Sequence, residues 1–161
     1  MKRAALAFVV AGLLAAAVVP NALATTTRIP FSGTSTAGAL LDPGAHGQAG
    51  KMVWARRVVQ VYNDAGSPFI EGPDTITYSY NLNLVTGNGA LWGTDRLEPV
   101  AYPGGAFDCS WHGIFDSFVW TGKVVCQGEG TLDGYQLRGT LVSALGGDMA
   151  DFFGFVFVPG D

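Results

Sequence analysis

The segment CSWHGIFDSFVWTGKVVCQGEG, residues 109–130, contains the side chains best suited to chemistry, because both cysteines of the chain and one of its two histidines lie in it. Thiolates and imidazoles bind zinc, and they also pair in nucleophilic catalysis. Cys109, His112 and Cys126 could therefore form a metal site or a catalytic centre. Two cysteines in an exported protein could instead form a structural disulfide.

Hairpin geometry favours the disulfide. If Cys109 lies opposite Cys126 in an antiparallel hairpin, the turn falls between Ser117 and Phe118, and Trp111 faces Val124. This register places apolar residues on one face of the hairpin and mostly polar residues on the other. The apolar face holds Phe107, Cys109, Trp111, Gly113, Val124, Cys126 and Gly128, and the polar face holds Asp108, Ser110, His112, Lys123, Val125, Gln127 and Glu129. Directly opposed residues are close enough to bond, so we predict a Cys109–Cys126 disulfide.

The same alternation argues against a reactive site. Residues three apart on a strand point to opposite faces, so His112 and Cys109 cannot bind the same metal ion or transfer a proton between them. Asp108, Ser110 and His112 do share a face, but alternate residues are ~6.5 Å apart and a Ser–His hydrogen bond needs roughly 3 Å. His46 lies in a glycine-rich stretch that we read as a loop, without a partner. We therefore assign no catalytic residue, no metal and no cofactor.

Residues 1–24 have the pattern of a secretory signal peptide. Lys2 and Arg3 precede an apolar run, Ala4 to Val19, which ends at the small-residue sequence Ala22-Leu23-Ala24. The run is shorter than the roughly 20 residues of a membrane-spanning helix. We expect cleavage near Ala24 and a secreted or periplasmic protein, with no membrane span.

The charge of the mature chain excludes some classes of partner. Removing Lys2 and Arg3 leaves seven basic residues against 13 acidic ones, a net charge of −6. This balance argues against binding to nucleic acid or to anionic membrane surfaces.

The rest of the chain predicts an all-β fold. Eight stretches read as strands and none as a helix, with turn signals every 8 to 15 residues, which is typical of a β-sandwich or barrel. The clearest strand is DTITYSYNLNLV, whose alternation places on one face Ile76, Tyr78, Tyr80, Leu82 and Leu84. In residues 25–50 we expect a strand at Arg28 to Ser32 followed by a loop, and in residues 51–161 the barrel domain.

Two features leave alternatives open. A two-residue turn at Asn88-Gly89 would point Trp92 and Arg96 outward, whereas a slip of one residue would point both into the barrel, with Arg96 opposite Tyr80. The turn chemistry favours the outward register, and an inward Arg96 would indicate an anionic or carbonyl-bearing ligand. The last strand is apolar on both faces, so it is either central or covered, for example by a second copy in a homo-oligomer.

The segments GNGALWGTDRLEP and GGAFDCSWHGIFDSFVWTGKVVCQGEGTLDGYQLRGTL resemble the bacterial allene oxide cyclase-like β-barrel proteins, over roughly residues 75–145. The resemblance implies an eight-stranded antiparallel barrel, related to dirigent proteins and allene oxide cyclases. Those relatives bind hydrophobic small molecules in the barrel, some steer cyclisations, and they are often homotrimers. The cysteines depart from the family pattern, and none of its catalytic residues can be matched here.

Three functions follow as hypotheses. The first is an exported barrel that binds a small hydrophobic molecule, with Tyr78, Tyr80, Arg96 and Trp111 as candidate ligand-binding residues. The second is an isomerase or cyclase acting in the same cavity. The third is a structural or interaction protein that uses the apolar last strand. An open interior with polar groups would favour the first two, and a filled interior with an exposed patch of Phe152, Val156 and Val158 the third.

Overall fold

The computed structural model describes residues 26–144 and 149–160, which form nine β-strands and one short 3-10 turn. The predicted signal peptide lies outside the described residues. Within them, no helix is long and apolar enough to cross a membrane. The strands are β1 Thr27–Asp42, β2 Ala45–Ala49, β3 Met52–Gly66, β4 Gly72–Asn83, β5 Gly89–Leu97, β6 Ala106–Asp116, β7 Val119–Glu129, β8 Gln136–Ala144 and β9 Met149–Val158, with the 3-10 turn at Gly130–Leu132.

Eight of these strands close into an antiparallel barrel. The order around the wall is β1-β9-β8-β7-β6-β5-β4-β3, and pairing between β3 and β1 completes the circle. The remaining strand, β2, pairs with β3 on the outside of the barrel. The predicted fold class, an all-β eight-stranded barrel, is therefore confirmed.

The loop predicted after Ser32 is wrong. β1 continues to Asp42, and β2 follows it at Ala45–Ala49. The first part of β1 pairs with β9, and its second part pairs with β3. Because neighbouring strands satisfy its backbone, this Thr-, Ser- and Gly-rich segment forms a strand without apolar alternation. His46 accordingly lies in β2, opposite Ala55 and exposed, rather than in a loop.

The β6–β7 hairpin has the predicted register. Cys109 lies opposite Cys126 and Trp111 opposite Val124, with the turn at Ser117 and Phe118. The Sγ atoms of the two cysteines are 2.01 Å apart, which is the disulfide distance. Both cysteines are buried inside the barrel, whereas His112 is exposed on the outer face. The disulfide prediction and the sorting of the two faces are confirmed.

The turn between β4 and β5 is not the predicted two-residue turn. Leu82 pairs with Gly89, and the N–H of Asn83 donates to the carbonyl oxygen of Asn88 at 2.9 Å, so residues 84–88 form the connection. The pairing differs from the prediction by an even number of positions, and an even shift keeps every side chain on its face. Trp92 and Arg96 therefore point outward, as the favoured register predicted.

One end of the barrel is filled by a hydrophobic core. We call it the closed end; it is the end where the β3–β4, β5–β6 and β7–β8 connections lie. Its most deeply buried side chains are Ile70, Leu97, Phe107, Cys126, Leu132, Leu137 and Val156. The β3–β4 connection folds over this end and contributes Phe69 and Ile70. The opposite end, at the β4–β5 and β6–β7 turns, is here called the open end.

Strand β9 is central, between β1 and β8, which accounts for its two apolar faces. Phe152 and Val156 are buried inside the barrel, so they do not form the exposed patch expected for an interaction protein. On the outer face, the guanidinium group of Arg28 lies 3.3 Å from the centre of the Phe155 ring. Arg138 covers Phe157 in the same way, at 5.4 Å. Cation–π contacts within the chain thus cover Phe155 and Phe157, whereas Phe153 on the same face is 45% exposed.

Candidate functional site

The interior between the closed-end core and the open end is a cavity of about 290 Å³. Leu82, Phe115 and Trp120, the inward residues nearest the open-end turns of their strands, line it, so the cavity reaches that end. The wall side chains of Tyr78, Tyr80 and Leu91 face inward but are only half-buried. The barrel interior is therefore a packed core at one end and an open cavity at the other. The volume of this cavity is at the lower end of the range for ligand pockets.

Three of the four candidate ligand-binding residues line this cavity: Tyr78, Tyr80 and Trp111. They come from β4 and β6, and the alternation of each strand brings them to the inner face. Leu84, which we placed on the same face, lies beyond the end of β4 and is 46% exposed. Phe107 and Cys109 point inward but belong to the closed-end core.

Arg96, the fourth candidate, lies on the outside of the barrel. Its Nη1 atom is 2.8 Å from Asp108 and 3.2 Å from Glu129, and its Nε atom is 3.4 Å from Glu98. Hydrogen bonds with these carboxylates, above all Glu129 and Asp108, raise the pKa of the guanidinium group. Arg96 therefore belongs to an exposed ion-pair network, and it does not bring a positive charge into the cavity.

The cavity instead contains three aspartates that the sequence analysis did not identify. Asp64 of β3, Asp74 of β4 and Asp95 of β5 line it and are all buried. Asp74 lies opposite Tyr62 and Asp95 opposite Ile76, so the aspartates are diagonal neighbours on adjacent strands. Diagonal neighbours on one face are within reach of one another. They form the cluster that we call the acidic floor, on the side of the cavity nearer the closed end.

Burial dominates the electrostatics of the acidic floor. It raises the pKa of Asp64 to about 6 and that of Asp95 to about 7, from an ordinary value of 3.8, although hydrogen bonds from Ser35 and Asp74 oppose the rise. The pKa of Asp74 is also raised, by burial and then by the negative charges of Asp95 and Asp64. The hydrogen bond between Asp74 and Asp95 raises the pKa of the first and lowers that of the second.

A bulge in β3 directs Asp64 into the cavity. Ala55 pairs with Tyr80 and Val58 pairs with Tyr78, so β3 contains one more residue than β4 over this stretch. Arg57 adopts a φ of 54° there, and its N–H donates to Oγ of Ser79 at 3.0 Å. An extra residue reverses which side chains face inward beyond the bulge. Tyr62 and Asp64 consequently line the interior.

Aromatic side chains form much of the cavity wall above the acidic floor. The rings of Trp111 and Trp120 meet edge to face with their centres 5.5 Å apart. Trp111 packs on Gly93, where a Cβ atom would come within 2.7 Å of its ring. The hydroxyl of Tyr78 donates to Oε1 of Gln60 at 3.2 Å. Glycines in the wall therefore provide the space in which the indole rings lie against the sheet.

The site can provide carboxyl groups with raised pKa values and aromatic faces. Within residues 26–144 and 149–160, no three His, Cys, Asp or Glu side chains are grouped closely enough to hold a metal ion. The chain matches no protein-family model, and no curated protein matches it.

The sequence did carry a signal for part of the acidic floor. Asp74 is in phase with Ile76 and Tyr78 on the apolar face of β4, and Asp95 is in phase with Leu91 and Leu97 on β5. A carboxylate at a core-facing position is rare unless it has a function or a partner. Asp64 had no such signal, because its orientation depends on the bulge at Arg57.

Proposed function

We propose that this protein is an exported β-barrel that binds a small, largely apolar molecule in its cavity. The observation that carries the proposal is the asymmetric interior, filled at the closed end and hollow over the aromatic half. A barrel of eight strands is just wide enough to be filled by side chains or to hold one small ligand. An apolar cavity with a few polar groups at one place is the usual form of a ligand site.

Export is part of the proposal. A buried Cys109–Cys126 disulfide is compatible with an oxidising compartment, where such bonds persist. The signal-peptide pattern of residues 1–24 supports the same compartment. Membership of the allene oxide cyclase-like barrels likewise remains our proposal; it is supported by the sequence resemblance and agrees with the closed eight-stranded wall.

Binding of the neutral fluorescent probe N-phenyl-1-naphthylamine tests the proposed function. We expect saturable fluorescence enhancement with the wild-type protein. Ala150 lines the cavity, so Ala150→Phe should fill part of it and weaken binding. Ala90 alternates with the inward-facing Leu91, so Ala90→Phe adds the same ring to the outer face and should leave binding unchanged. Equal binding by both variants, or none by the wild type, would refute the proposal.

A second candidate function is an isomerase acting on a hydrophobic substrate. The neighbouring carboxyl groups of Asp74 and Asp95, whose pKa values are raised by burial, favour it. A neutral carboxyl beside a carboxylate can donate one proton and accept another. With a β,γ-unsaturated cyclic ketone, the carboxylate would take a proton from the α carbon and the acid would deliver one to the γ carbon. The absorbance of the conjugated product would report turnover. If no product forms, the isomerase function is refuted and ligand binding is the function that remains proposed.

A further inference from the structure

The charges that line the cavity all have the same sign. Asp64, Asp74 and Asp95 are its ionisable carboxyl groups, and none of the described lining residues is Lys, Arg or His. Arg96, which could have neutralised the acidic floor, is on the outer face of the barrel. A carboxylate buried away from water without a cationic partner is unfavourable, so a positively charged group would complement this cavity.

Individual atoms of the cavity also lack protein partners. Oδ1 of each of the three aspartates is buried and has no hydrogen-bond partner in the protein. The same holds for Nε1 of Trp111 and of Trp120, two side chains that line the cavity and are more than nine-tenths buried. Native proteins leave few buried polar atoms unpaired, and each such atom needs an explanation. Here five of them lie on residues around one cavity, which indicates that the cavity receives a polar group.

The surrounding aromatic rings are also suited to binding a positively charged group. Tyr62, Tyr78, Tyr80, Trp111 and Trp120 line the cavity together with the acidic floor. The faces of such rings attract cations, and aromatic cages are a common way of binding organic ammonium groups. Because the acidic side chains are not grouped closely enough for a metal ion, an ammonium group carried on an organic body fits better than an inorganic cation.

We propose that the cavity selects a small organic cation, namely a protonated amine on an aromatic or aliphatic body. The ammonium group would donate hydrogen bonds to the unpartnered oxygens of the acidic floor, and the body would pack between the tyrosine and tryptophan rings. This inference rests on the proposed function, because it names the class of ligand that the cavity takes.

Three probes of similar size and different charge test this selectivity. We would titrate 2-phenylethylamine, 2-phenylethanol and 3-phenylpropanoate into the full mature chain by calorimetry at neutral pH. The amine should bind about tenfold more tightly than the alcohol, since charge-assisted hydrogen bonds are stronger than neutral ones. The carboxylate should bind least, because it meets charges of its own sign.

Two variants localise the effect to the acidic floor. Asp95→Asn keeps the shape of the side chain and removes its charge, so the preference for the amine should fall to within about threefold of the alcohol. Asp64→Asn should act in the same direction. Asp151 is exposed on β9, and Asp151→Asn removes the same charge from the outside of the barrel without altering the preference.

The outcomes separate this inference from the proposed function. If amine and alcohol bind equally well to the wild type, the cavity binds ligands but the selection of a cation is refuted. If none of the probes binds and N-phenyl-1-naphthylamine does not bind either, the proposed function itself fails. If the amine preference survives in both aspartate variants, the cation lies elsewhere and the inference is wrong.

Discussion

Asp74 and Asp95 project from neighbouring strands into one cavity, where burial raises the pKa of both carboxyl groups. Stability alone does not account for this arrangement. Two apolar residues of similar size would fill the space at lower cost, because buried polar groups must be paired to be tolerated. The pair therefore reduces the stability of this part of the barrel, which agrees with the proposed binding site.

Asp95→Asn should stabilise the protein at alkaline pH. The pKa of Asp95 is raised to about 7 in the folded state against 3.8 for the unfolded one, so the folded protein binds the proton more tightly between these values. Its contribution to stability is then fully present below pH 3.8 and is lost as the pH rises through about 7. Above pH 8 we expect the free energy of unfolding of the Asn variant to exceed that of the wild type by roughly 1–3 kcal/mol.

Denaturant unfolding at a series of pH values measures this difference. The gap between Asp95→Asn and wild type should widen from pH 4 to pH 8, and Asp151→Asn, on the outer face, should show no comparable gap. Ionisable groups facing Asp95 from the other strands, namely Asp64 and Asp74, have raised pKa values as well, so their Asn variants should behave similarly. A variant that is destabilised at pH 8 would contradict the assigned burial.

Removing the disulfide should destabilise the barrel without changing its fold. Cys109 and Cys126 are 17 residues apart in sequence, and closing a loop of that length constrains the unfolded chain. We expect the double variant Cys109→Ala, Cys126→Ala to lose about 2–4 kcal/mol of unfolding free energy. Wild-type protein refolded under reducing conditions is the matched control. Two reactive thiols in unreduced, denatured wild-type protein would show that the bond does not form.

Arg96→Ala should leave ligand binding unchanged. The three carboxylates around Arg96 lie on the outer surface, and exposed ion pairs contribute little. We expect a loss of less than about 1 kcal/mol in unfolding free energy, screened further by salt. The affinity for N-phenyl-1-naphthylamine should equal that of the wild type. A clear loss of affinity would mean that Arg96 acts on the cavity after all.

The sequence predicted the β6–β7 hairpin in full, since one register satisfied both the cysteine pair and the sorting of apolar from polar residues. The same parity rule placed Tyr78, Tyr80 and Trp111 on the inner face. It also placed Arg96 outside, although the predicted turn at Asn88-Gly89 was wrong. A shift of the strand pairing by an even number of residues keeps each side chain on the same face. The orientation of the β5 side chains was therefore more predictable than the length of the β4–β5 turn.

Other features depend on contacts that a single strand does not reveal. The extra residue at Arg57 reverses the faces of β3, so Asp64 could not be placed without knowing the pairing with β4. The second half of β1 forms a strand because β3 is available to pair with it, although its composition resembles that of a loop. The acidic floor needs three strands in register, and its unusual electrostatics exist only in the closed barrel.

The three aspartates of the acidic floor each have a buried Oδ1 atom without a hydrogen-bond partner in the protein, and we propose that these atoms receive a cation. Titration of the aspartate side-chain carboxyl carbons, followed by NMR, measures both properties in one experiment. The protein should show apparent pKa values near 6 and 7 for aspartates of the acidic floor, and 2-phenylethylamine should lower them while 2-phenylethanol does not. If every aspartate titrates near 3.8, or if the amine leaves the titration unchanged, the acidic floor does not bind a cation.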